Sequence, residues 1–119
     1  MLNVGVNQAC MVYEASYGEC LNPDGEAYQT MIAAMREVIA VAHCEGIAIG
    51  EADLNEYVRL LRTLSPEAMP SMRQDGLARR ASEVELFAGT ICALAQKHGI
   101  LVPANDFLYK RIREIEASY

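Results

Sequence analysis

Asn3 and Asn7 stand four residues apart near the start of the chain. On a helix that spacing stacks them on one face, where two amides, each with N–H donors and an acceptor oxygen, meet whatever lies beside them. Set among Val4, Val6, Ala9 and Cys10, they cost free energy unless partners are supplied. A polar ligand, each other or neighbouring loops could supply them. Glu83 is a second group with chemistry, because its spacing to Phe87 puts a carboxylate at the edge of an apolar helical stripe. Such an acid either works on a ligand or complements the positive end of the helix. Ser71 is a third, a hydroxyl placed to cap a helix and, secondarily, to donate to a ligand. His43 and His98 lie near expected helix ends without an acid or cysteine at metal or nucleophile spacing, and read as structural. Cys10, Cys20, Cys44 and Cys92 form no Cys-x-x-Cys pair, so no metal site is expected and the thiols read as reduced.

The elements that must position these groups are helical. Leu2 to about Tyr13 is apolar and free of Pro, which predicts a mostly buried helix; no capping residue precedes it, so the chain reads as entering that helix part-way along. Ser16 to Gly25, rich in Gly, Pro, Asn and Asp, predicts a loop ending with Asp24 as N-cap. Tyr28, Met31, Ile32, Met35, Val38, Ile39 and Ala42 recur at helical steps, with Gly46 as the stop. Leu54, Tyr57, Val58, Leu61 and Leu64 repeat that pattern from about Glu51. Ser65-Pro66-Glu67 has the order of a helix entrance, broken at Pro70. Ser71-x-x-Gln74 and Ser82-x-x-Glu85 both fit a capping box, predicting helices over Ser71 to Ala78 and Glu83 to His98, the latter with Val84, Phe87, Ile91, Leu94 and Ala95 inside. Beyond Gly99 and Pro103, Phe107, Leu108, Ile112 and Ile115 drive a last helix. Nothing sustains a period of two, so the fold class is all-α with about six helices.

At 119 residues the chain fits one domain and is too short for a dinucleotide-binding unit plus a substrate domain. A hydrophobic share of 52% against 22% charged is globular composition. The net charge of -6 argues against nucleic acid as a partner. No apolar run has the length of a membrane span, and the expectation is a soluble cytoplasmic protein. No Gly-x-Gly-x-x-Gly fingerprint occurs, so no dinucleotide is expected on this chain alone.

Taken together, the asparagine pair, Ser71-Met72-x-Gln74-Asp75, Arg80-Ala81-Ser82-Glu83-Val84-Glu85, and Pro103-x-Asn105 after Gly99 resemble the C-terminal helical domain of the ketopantoate reductase (2-dehydropantoate 2-reductase) family. The resemblance covers essentially the whole chain, 1-119. It implies a fold similar to the C-terminal domain of 6-phosphogluconate dehydrogenase. In the complete family enzyme this domain closes on an N-terminal Rossmann domain that carries NADPH, and the keto acid lies between them. It further implies Asn3 and Asn7 near the reacting oxygen, Ser71 at the substrate carboxylate, and Glu83 as the catalytic carboxylate that orients a general-acid lysine and the substrate hydroxyl. That lysine falls four residues before Asn3, ahead of Met1. Tyr17-Gly18 and Ala88-Gly89 stand where the family frequently has Asn-Gly, which leaves the particular keto acid open. The expectation is thus a substrate-binding domain for a 2-keto acid such as ketopantoate, inactive without a Rossmann partner, and homo-oligomeric. The alternative is a non-enzymatic helical module for dimerisation or ligand sensing.

Overall fold

The computed structural model describes residues 2–80, 82 and 88–119. Among the described residues there are seven α-helices and no strand: α1 (Asn3–Val12), α2 (Tyr17–Cys20), α3 (Glu26–Cys44), α4 (Glu51–Leu61), α5 (Ser71–Leu77), α6 (Thr90–His98) and α7 (Pro103–Ala117). The all-α class holds. α1 is apolar nearly all round because it is the central helix, and it contributes to each of three apolar clusters. Val6 and Cys10 join Met31, Met35, Leu54 and Leu61 of α3 and α4. Val4 joins Val38, Val41, Ile91 and Val102, and Met11 joins Met72, Ala88 and Ile112. Gly5 lets α3 come close, since a Cβ there would lie 2.8 Å from Met35 Cγ and 2.9 Å from the Met31 carbonyl oxygen.

Several local expectations are corrected. The segment after Ser16 is not all loop: Ser16 and Glu19 form a capping box, with Glu19 N donating to Ser16 Oγ (3.4 Å) and Ser16 N to Glu19 Oε1 (3.2 Å), and these bonds start α2. Gly25, not Asp24, is the capping position of α3; the Asp24 backbone N–H donates to Asn22 Oδ1 (3.1 Å) in the turn before it. Ser65-Pro66-Glu67 makes a turn and no helix. The Ser65 carbonyl closes the turn by accepting from Ala68 N (3.0 Å), and the Pro66 and Ala68 carbonyls serve α2, accepting from Gly18 N (2.9 Å) and Tyr17 N (3.0 Å), while Pro70 forces the preceding backbone out of the helical region. α5 is entered from an extended Pro70, which makes Pro70 and not Ser71 the capping position, and the Gln74 side chain donates to Met69 O (2.9 Å). Leu64 falls beyond the end of α4, and Phe107 is 41% exposed, outside the core.

The expected long helix to His98 is described from Ala88, where a π-type turn at Ala88–Gly89 runs into α6. Its beginning, with Glu83, Val84, Glu85 and Phe87, lies outside the described residues. Ser82 meets α7: its N–H and hydroxyl both donate to the Glu116 carboxylate, at 3.2 and 2.8 Å. His98 also has an acid partner that spacing does not reveal, Glu45 at the C-terminal end of α3.

Candidate functional site on the open edge of the first helix

The half-buried Asn3 and Asn7 lie on one edge of α1, as their spacing requires. They interact with each other only partly: Asn7 Nδ2 donates to the Asn3 backbone oxygen at 2.9 Å, which leaves the Asn3 amide and the Asn7 oxygen for other partners. Asn3 lines a groove of about 610 Å³ between α1 and α4, with Leu2, Ile49, Tyr57 and Leu60 as its apolar wall and Asp53 and Glu56 at the rim. Burial, and then the neighbouring Tyr17, push the Tyr57 phenol up from its usual range, so it faces the groove as a neutral hydroxyl. Burial does the same to Tyr17.

Ser71 is the first residue of α5, and α5 packs along α1 through Met72 and Met11. The fold therefore brings the helix that Ser71 opens against the helix that carries the two asparagines. Glu83 lies outside the described residues.

Four further polar residues emerge that spacing alone did not single out. Gln8, fully buried, spends both ends of its amide: Nε2 donates to Val4 O and Oε1 accepts from Ala88 N, each at 3.2 Å. It ties the π-type turn to α1. Asn105, also buried, donates from Nδ2 to Ala34 O (3.2 Å) and Glu37 Oε1 (2.8 Å). Glu37 accepts in addition from the Ala104 and Asn105 amides at 2.8 and 2.9 Å, and so caps the start of α7 with a carboxylate. Arg73 carries a buried Nε without a hydrogen-bond partner. A third amide beside Asn7 in an apolar run was the available signal for Gln8; for Glu37 and Arg73 no local pattern existed.

Cys10 and Cys20 are fully buried, and the thiol of Cys10 is pushed far above its usual range by its contact with Cys20 and by burial. Neither is a nucleophile in this state. Among the described residues no group of three or more His, Cys, Asp or Glu side chains is placed to hold a metal ion, and no helix is long and apolar enough to cross a membrane.

The comparisons with known proteins agree on one relationship. The family model described as "Ketopantoate reductase PanE/ApbA C terminal" matches residues 1–116. A 2-dehydropantoate 2-reductase of Vibrio cholerae serotype O1 is 29% identical over 119 residues, covering 99% of this chain and 39% of that protein. The ketopantoate reductase crystal structure from Ralstonia eutropha JMP134 superposes with a TM-score of 0.86 at 29% identity, over 98% of this chain and 39% of that one. A D-mandelate dehydrogenase complex with NADH superposes at 0.83 with 25% identity, over 98% of this chain and 40% of that one. The chain therefore spans about two fifths of the length of these relatives. With a match from its first residue almost to its last and the helical fold to go with it, this chain belongs to the family of ketopantoate reductase C-terminal domains.

Proposed function

We propose that the chain supplies the substrate-binding half of an NADPH-dependent 2-keto acid reductase, with ketopantoate as the substrate and pantoate as the product. The observation that carries this reading is the Asn3–Asn7 edge of α1, half-buried and open beside a groove, in a chain whose relatives are reductases of that acid. The reaction moves a hydride from the nicotinamide to the ketone carbon and a proton to its oxygen. A Rossmann domain, as a partner, would hold the cofactor and supply the hydride. In this chain Asn3 and Asn7 orient the reacting oxygen by hydrogen bonds, Ser71 meets the carboxylate end, and Glu83 orients the proton donor and substrate hydroxyl. Chain alone should neither bind NADPH nor oxidise it with ketopantoate.

The test is calorimetric titration of ketopantoate and pantoate into this chain and into the same chain fused behind a family Rossmann domain with NADP present. Tight binding only by the fused form supports the reading, and binding by neither rejects it. A second reading, a self-associating helical module, is favoured by Leu101, 89% exposed beside a groove of Gly89, Cys92 and Ala93. Light scattering that shows a monomer at high concentration would remove it, and with it the expected homo-oligomer.

A further inference from the structure

The stripe that α4 turns to the Asn3 groove changes character along its length. Asp53, Glu56, Tyr57 and Leu60 all line that groove, and their spacing puts them on one face of the helix. The face is acidic in its first half and apolar in its second. Leu54, Val58 and Leu61 point the other way, into the core, which fixes the rotation of α4 and keeps the stripe at the groove.

The two acids are not equivalent. Glu56 is matched by Arg59, whose Nε donates to Glu56 Oε2 at 3.0 Å. Asp53 Oδ2 accepts from the Gly50 N–H at 2.9 Å, a bond that holds the carboxylate at the start of α4, where the helix favours its ionised form. Among the described residues no cationic side chain is ion-paired with Asp53. The exposed Asp53 therefore brings an unmatched negative charge to the rim of the groove.

A keto acid is itself an anion. One that meets Asn3 in this groove is repelled by Asp53, so its carboxylate turns away from α4 and its far end lies along the α4 stripe. Ser71, which the reading above puts at the carboxylate, is accordingly on α5 and not on α4. Tyr57 and Leu60 suit a far end that is apolar, whereas a second carboxylate there would face Asp53. Repulsion of this kind discriminates between ligands more than it changes the affinity for the one that fits.

We propose that Asp53 is a specificity-determining residue, which lets the groove take 2-keto acids with an uncharged far end and rejects 2-keto diacids. The proposal rests on the substrate-binding reading above, and its test separates the two. Ketopantoate and 2-oxoglutarate, a 2-keto diacid, are titrated calorimetrically into the chain fused behind a family Rossmann domain with NADP present, at low and at high salt. The titrations are repeated with Asp53→Asn, which keeps an oxygen for the Gly50 N–H, and with Asp53→Ser. Asp24→Asn, which removes an exposed acid outside the groove, is the control for net charge.

The unaltered fusion should bind ketopantoate in preference to the diacid. Asp53→Asn should reduce that preference by about threefold to tenfold at low salt, by tightening the diacid, and by less at high salt. Asp53→Ser should repeat this, and Asp24→Asn should leave the preference in place. Equal binding of both acids by the unaltered fusion, a preference that neither Asp53 variant lowers, a change that salt does not reduce, or an equal change in Asp24→Asn overturns the Asp53 assignment and leaves the substrate-binding reading standing. Binding of neither acid by any form overturns both.

Discussion

At the scale of single residues, the polar groups inside the molecule divide into those with every bond made and those with a bond to give. Glu37 belongs to the first kind, accepting from two backbone amides at the start of α7 and from Asn105. Removing it strands those donors at a helix end, so we predict that Glu37→Ala destabilises the chain by about 2–3 kcal/mol, the scale of charge-assisted bonds. Urea unfolding at constant m reads this directly, and a loss below about 0.5 kcal/mol would show that water replaces the carboxylate. Gln8 is fully spent as well, so Gln8→Leu, which keeps the volume, should cost about 1–3 kcal/mol by leaving the Ala88 N–H unpaired. Faster hydrogen exchange at Ala88 would accompany it. Cysteine reactivity follows the same accounting. Burial, then the hydrogen bond to Asp106 (3.1 Å), push the Cys92 thiol up to about 12, while Cys44 is exposed. Near neutral pH an alkylating reagent should label Cys44 first, and Asp106→Asn should speed Cys92 by removing a charge that opposes its thiolate. Labelling of Cys92 ahead of Cys44 in the unaltered chain would contradict this.

At the scale of elements, what the sequence made legible is what local periodicity can carry. The stripes of α3 and α4 and the glycine stop at Gly46, with φ +76°, follow from apolar spacing and from the left-handed turn that glycine allows. α2 was hidden because a tyrosine, a glycine, an acid and a cysteine have no stripe; its Ser16-x-x-Glu19 cap was visible but sat in a segment that composition marks as loop. The helix expected at Ser65 failed for a non-local reason, since the Pro66 and Ala68 carbonyls are committed to α2. In the candidate site, the Asn3–Asn7 edge was readable from a four-residue step. The Gln8–Ala88 and Glu37–Asn105 bonds join positions far apart in the chain and have no local trace. Helix contact also explains a glycine. Gly5→Ala should destabilise by about 1–3 kcal/mol, because the Met31 backbone oxygen at 2.9 Å cannot move aside as the Met35 side chain can. Gly50→Ala, with open space around its Cβ and an extended φ of -150°, should lose only what a glycine N-cap of α4 gives over alanine, about 0.5–1 kcal/mol. Equal losses in thermal or urea unfolding would mean that α1 and α3 are not held this close.

At the scale of the whole molecule, α1 belongs to all three apolar clusters, so no cluster can open without exposing the central helix. The radius of gyration, 13.6 Å, is that of one compact body of this length, about 13.5 Å. Unfolding should therefore be a single transition, with helix signal and tyrosine fluorescence coinciding. Its pH dependence has a contributor that can be isolated. Glu45 joins the C-terminal ends of α3 and α6, bound by His98 and Lys97. The His98 hydrogen bond holds the Glu45 carboxyl below the usual carboxylate range, with the Lys97 charge and hydrogen bond adding to it. A carboxyl whose pKa is lower in the folded than in the unfolded chain adds stability that is complete above the unfolded value and is lost as pH falls through the folded one. The other acids of this chain of net charge -6 titrate in the same range, so the effect is read as a difference between two variants, in which their common background cancels. We predict that Glu45→Gln melts below the unaltered chain at neutral pH, and that the gap narrows and closes as the solution is acidified through the carboxylate range. A gap that stays constant from neutral to acid would assign the role of Glu45 to packing or neutral hydrogen bonding, and high salt, which screens an exposed pair, should narrow the neutral-pH gap only if the charge is what joins the two helix ends.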